Sequence, residues 1–98
     1  MEKHTPHTKL DLVRKLIKDR KVKVTRSAMV GASELGFGFD EMLEVVTMLM
    51  PSDFHKSMTT HSDHTIWQDV YRPTTKAGAV YLKLTVIDDV LIVSFKEL

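Results

Sequence analysis

Apolar residues recur at helical spacing through the first half of the chain and at alternate positions through the last third. Leu10, Val13, Leu16 and Ile17 form one stripe behind Thr5 and Pro6, which read as a helix cap and a first-turn proline, so the spacing predicts a helix over about residues 6 to 20. Lys9, Arg14, Lys15 and Lys18 fall on its polar face. Val22 and Val24, split by Lys23, suit a short strand at a sheet edge, where a charged side chain discourages further pairing. Thr25 can cap a second helix through Ala28, Met29 and Val30, with Gly36 as its left-handed terminator. Asp40 is placed to cap a third, whose Met42, Val45, Val46 and Leu49 line one face until Pro51 stops it. Residues 52 to 60 fit a short helix or a strand equally well.

Beyond Thr65 the period changes. The segments IWQDVYR, AVYLKLTVI and VLIVSFK are rich in β-branched and aromatic residues and are separated by PTTKAG and by Asp88-Asp89. They predict a three-stranded antiparallel meander. Helices first and strands afterwards make an α+β fold, with N-terminal helices packed on one face of a small C-terminal antiparallel sheet, in a single domain spanning residues 1–98.

Composition narrows the function classes. With no cysteine the chain has no disulfide framework, zinc-thiolate site or cysteine nucleophile, and it opens without a secretory leader, so a cytoplasmic protein is expected. No stretch approaches the roughly 20 apolar residues that a membrane span needs. The net charge of +1 conceals a segregation: residues 1–26 hold nine Lys and Arg against three acids, while residues 27–50 hold four acids and no base. A basic N-terminal stretch suits phosphates or an acidic protein, and equally a solvated helix face.

A two-residue hairpin loop at Asp88-Asp89 would set Ile87 against Val90 and Tyr81 directly against Lys96. Lys83, Thr85, Ile92 and Ser94 would then share their sheet face, leaving Leu82, Leu84, Val86, Leu91, Val93 and Phe95 on the other. A phenol beside ammonium groups suits proton transfer and phosphate contact, although an ordinary cross-strand surface pair has the same appearance.

Two stretches, SDFHKSMTTHSDHTIWQDVYRP and VYLKLTVIDDVLIVSFKE, closely resemble the MqsR mRNA interferase family, as do TPHTKL, TRSA and ELGFGFD nearer the N-terminus. The resemblance runs through nearly the whole chain. It implies a RelE-like fold and the toxin of a type II toxin-antitoxin system. That toxin would be an endoribonuclease cutting mRNA at GC-containing triplets such as GCU, without metal or other cofactor, and neutralised by a cognate MqsA-like antitoxin. It also implies catalytic roles for Lys56, Gln68, Tyr81 and Lys96, with RNA contacts from His55, Arg72 and Lys83. For Gln68 to share the face of Tyr81 and Lys96, the strand around it must adopt a register that brings Arg72 to the same face and sends Asp69 into the core, where the carboxylate needs a hydrogen-bonding partner. At position 55 this chain has His where the family has Tyr; the ring could stack on an unpaired base, transfer a proton, or do neither.

Metal-free cleavage would use the adjacent 2′-hydroxyl as nucleophile, with Lys56 and Lys96 contacting the phosphate, Gln68 orienting the phosphate or the 2′-hydroxyl, Tyr81 transferring a proton or hydrogen-bonding the phosphate, and either Lys56 or Tyr81 as base. Two other readings stay open at this point. His61, Asp63 and His64, or His4 and His7, could belong to a metal site. Alternatively, the basic helix could bind nucleic acid in a protein that cuts nothing.

Overall fold

The computed structural model describes residues 1–98. Its elements are β1 (Glu2–Lys3), α1 (Leu10–Lys18), β2 (Val22–Val24), α2 (Arg26–Glu34), α3 (Phe39–Thr47), a 3-10 turn at Pro51–Asp53, and β3 (Phe54–Thr59). They are followed by β4 (Trp67–Tyr71), β5 (Thr74–Thr75), β6 (Gly78–Ile87) and β7 (Asp89–Glu97). The α+β class is as expected, and all three helices contribute to one core against the sheet. The sheet is larger than a meander. It runs β1-β3-β4-β6-β7-β2, with β5 paired to β6, so two N-terminal strands form its edges, and β2 joins β7 in parallel.

The helix ends follow contacts that the sequence only partly announces. Thr25 caps α2 as expected, its hydroxyl accepting the Ala28 N–H at 3.1 Å, and Gly36 follows the helix with φ +83°. α1, however, starts at Leu10 and not near Pro6. The N–H groups of His7 and Thr8 each donate to the buried carboxylate of Asp69 at 3.0 Å, so the segment expected to form the first turn is held against β4 instead. Asp40 is not the cap of α3. Gly38 occupies that place, and its N–H donates to Glu41 Oε1 at 3.1 Å while Asp40 sits in the first turn. α3 ends at Thr47, before Pro51, which instead opens the 3-10 turn leading into β3.

The core joins Val13, Ala28, Ala32, Phe37, Met42, Val46 and Leu49 to Tyr71, Val80, Leu82, Leu84, Val90, Ile92 and Phe95 of the sheet. All three helices therefore cover the same sheet face. α2 lies so close to β7 that a Cβ on Gly31 would run into the carbonyl oxygen of Phe95.

The β6–β7 hairpin departs from the expected turn while keeping its main consequence. Ile87 faces Asp89, and Asp88 alone forms the tip with φ +65°. A bulge then shifts the register between the Leu84–Ile92 and Lys83–Ser94 pairs, leaving Val93 as the extra residue. Beyond it Leu82 faces Phe95 and Tyr81 faces Lys96. Up to the bulge, the expected faces of β7 are reversed: Val90 and Ile92 enter the core, whereas Leu91 and Val93 are only half-buried. Thr25 holds this irregularity in place, since its hydroxyl donates to the Val93 carbonyl at 2.8 Å and its N–H to the Ile92 carbonyl at 3.0 Å.

Candidate active site

The pairing register assigns the polar residues of the sheet to the face without helices. Lys56 faces Val70, Val70 faces Lys83, and Lys83 faces Ser94, forming one row across four strands. Gln68 lies two residues from Val70 on β4, opposite Met58, and Tyr81 with Lys96 lies on the other side of the row. Val70 is fully buried yet lies outside the helix-packed core, as expected for a residue flanked in register by two lysine stems. The register also brings Asp69 to the core side, opposite Leu84. Its carboxylate is 2% exposed, and besides His7 and Thr8 it accepts the Ser57 hydroxyl at 2.6 Å. A charge buried among three donors is stabilised where an unpartnered one would be costly. This satisfied Asp69 lets Gln68 face outward.

Lys96 extends its ammonium over the Tyr81 ring, 5.2 Å from the centroid. The contact is with the ring face, a cation–π arrangement. Lys83, half-buried beside them, has its pKa pushed down, first by burial and then by the charge of Lys96. No carboxylate lies within ion-pairing distance of Arg72, Lys83 or Lys96, although five other Lys and Arg side chains have one. Uncompensated positive charge is thus concentrated around Tyr81.

His55 is the residue at which β3 bulges, between Phe54 facing Tyr71 and Lys56 facing Val70. Its Nε2 lies 2.9 Å from Nη2 of Arg72, and because a guanidinium only donates, the imidazole is the acceptor and is neutral in this contact. Burial, and then the charges of Arg72, Lys56 and His4, hold its pKa below the usual histidine value, with Glu2 opposing them. Lys56 is engaged differently: its ammonium donates to Glu2 Oε1 at 2.7 Å. That hydrogen bond and the charge behind it hold the Glu2 carboxyl below its ordinary pKa. Glu2 is a site neighbour that sequence reasoning missed. No local signal marks it, because it reaches Lys56 only through the pairing of β1 with β3, which sets Glu2 against Met58.

The other histidines do not assemble into a ligand set. Asp63 accepts the Thr65 N–H at 2.8 Å and the Thr65 hydroxyl at 2.6 Å, and His7 stacks on Trp67 with ring centroids 5.6 Å apart. No three His, Asp or Glu side chains converge as metal ligands. The larger cleft, about 560 Å³, lies beside α3 and is lined by Phe37, Glu44, Met48 and Asp53 among others, with Lys76 paired to Glu41 at 2.7 Å. Three carboxylates against one lysine make that cleft a poor match for a polyanion.

The family model described as "Motility quorum-sensing regulator, toxin of MqsA" matches residues 5–97. The chain belongs to the MqsR toxin family. The mRNA interferase toxin MqsR of Escherichia coli (strain K12) is 64% identical to it over 97 residues, covering 99% of each chain. In this MqsR-family chain all seven expected site residues lie on, or at the rim of, the helix-free face. Lys83, Tyr81 and Lys96 cluster at its centre, while His55, Lys56 and Arg72 gather toward β3. No helix is long and apolar enough to cross a membrane.

Proposed function

We propose that this chain is a toxin endoribonuclease that cleaves single-stranded mRNA on the helix-free sheet face, without a metal, at GC-containing triplets such as GCU. The observation that carries the reading is the set of bases on the one face that no helix covers, Lys83 and Lys96 beside Tyr81 and Arg72 toward β3, none of them with an acid partner. Membership of the MqsR family supports it, as does the name of the E. coli relative, an mRNA interferase. A RelE-like classification of the fold belongs to the same reading.

The 2′-hydroxyl next to the scissile phosphate loses its proton to Lys56 in its neutral amine form or to Tyr81 as phenolate, either group having first given up its own proton to solvent, and the 2′-oxygen attacks phosphorus. The bond to the 5′-oxygen breaks as that oxygen takes up a proton from solvent water, giving a 2′,3′-cyclic phosphate and a free 5′-hydroxyl. Lys96, Lys83 and Arg72 contact the phosphoryl oxygens as their charge grows, an effect typically worth several kcal/mol in a preorganised site. Gln68 orients the phosphate or the ribose. Lys56 leaves Glu2 to take part; with the lysine side chain 28% and the glutamate 52% exposed, solvent screening keeps that pair weak enough to exchange. The partner is an MqsA-like antitoxin, in a type II system.

The test is an end-labelled single-stranded RNA incubated with the protein and a chelator and read at nucleotide resolution. Cleavage at GC-containing triplets with a cyclic phosphate end is the expected result. Cleavage abolished by chelator would favour metal chemistry, and retention of intact RNA would favour a binding module.

A further inference from the structure

The basic N-terminal segment has no part in the chemistry above, yet the fold carries it to the far edge of the same face. Lys18, Arg20, Lys21, Lys23 and Arg26 are all exposed, and they surround β2, the strand that closes the sheet beside β7. The one acid among them, Asp19, is held by Lys15 at 3.1 Å.

The register determines which of these bases the RNA can reach. Val22 and Val24 pair with the buried residues Val90 and Ile92, whereas Lys23 pairs with Leu91. Leu91 in turn faces Thr85, which lies two residues from Lys83 on the same face of β6. Lys23 therefore extends from the active face itself, two strands across and two residues along from Lys83, or about 12 Å. Its own partner is loose, Asp89 Oδ2 at 3.9 Å, and its side chain is 75% exposed. Beside Lys23 lie Leu91, half-buried, and, one row further from the centre toward the hairpin tip, Ile87, which is 57% exposed on the same face. Isolated apolar side chains beside an exposed base make a surface on which a nucleobase can rest while its phosphate meets the ammonium.

We propose that the β2 edge is a second RNA subsite, in which Lys23 binds a phosphate of a nucleotide flanking the cut and Ile87 and Leu91 support its base. The proposal rests on the reading of the helix-free face as the cleavage face. Continuity with that face favours RNA over an acidic protein as the occupant, since the positive charge alone would suit either.

Two oligonucleotides test it: a short one limited to the target triplet, and one extended by several nucleotides on both sides. Each is made in a cleavable form and with a 2′-deoxy sugar at the cut for binding by fluorescence anisotropy. Lys23→Ala should weaken binding of the extended oligonucleotide by at least about threefold and lower the magnitude of its logarithmic salt dependence by about 0.7, the share of one phosphate contact on a single strand. Lys23→Glu should weaken it further, Lys23→Arg should restore it, and the effect should be confined to the extended form. Unchanged binding of the extended oligonucleotide by both Lys23→Ala and Lys23→Glu would overturn the subsite, and so would equal losses on both lengths. So would a loss of antitoxin binding with RNA binding intact, which would make the edge a protein interface. Failure of the parent protein to cut either cleavable oligonucleotide would refute the cleavage reading, separately from the anisotropy result.

Discussion

Tyr71, Lys83 and His55 show how differently three neighbouring polar groups are treated. The Tyr71 hydroxyl is buried with no hydrogen-bond partner, and burial, followed by the charge of Asp69, pushes its pKa up to about 12. Removing a buried, unsatisfied hydroxyl relieves a desolvation cost, so Tyr71→Phe should leave stability unchanged or raise it by about 1 kcal/mol, as read from urea unfolding. Lys83 loses its proton at a lower pH than an ordinary lysine. Affinity for an uncleavable RNA should therefore decline on the alkaline side before pH 10.5, and Lys83→Arg should move that decline upward, because a guanidinium stays charged. His55 has the opposite use. Its folded pKa lies below 6.5, so acidification below that value protonates the ring, removes the acceptor used by Arg72 and adds a charge beside it. RNA affinity should rise as pH falls through that window, and His55→Gln should abolish the rise. Stability runs the other way: the unfolded chain takes up the proton first, so stability falls with pH from 6.5 through the folded pKa and then levels off.

At the level of elements, the alignment of Tyr81 with Lys96 depends on the cap of α2. Thr25 both caps the helix and donates to the carbonyl of Val93, the residue that shifts the β7 register. Thr25→Val removes both bonds and should cost about 1 to 2 kcal/mol in thermal or urea unfolding. It should also slow cleavage beyond what the unfolded fraction explains. Gly31→Ala should destabilise by at least about 1 to 3 kcal/mol, because its methyl would meet the Phe95 carbonyl and push α2 off the strand that carries Lys96. The sequence disclosed the Thr25 cap and the short β2 edge, which depend on local spacing, but it reached the Tyr81–Lys96 pairing through a two-residue turn that does not form, the one-residue tip and a bulge together restoring the same pair. It concealed the bulge. Leu91, Ile92 and Val93 are all apolar, so alternation cannot show where the register slips. It also misplaced the start of α1, because the donors of His7 and Thr8 are claimed by Asp69, some sixty residues away in sequence.

At the level of the whole molecule, the helices commit one sheet face to packing and leave the other for charge. Asp69 links the two roles, for it ties the N-terminal segment to β4 from the core side and leaves Gln68 on the open one. The residues proposed for the site come from the family motifs, and the strand register brings them to a common face. The ion pair of Lys56 with Glu2 was not, because it needs the N-terminus to return as an edge strand. The central claim, that this face cuts RNA through its bases, is tested most directly by single-turnover cleavage of a labelled RNA containing GCU, with chelator present, by Lys96→Ala. Lys96 is exposed, so the variant should stay folded, within about 0.5 kcal/mol of the parent. Its cleavage should be slower by at least about tenfold, since a lost contact to developing phosphoryl charge exceeds the roughly 1.4 kcal/mol that tenfold represents. A folded Lys96→Ala that cuts as fast as the parent would contradict the account.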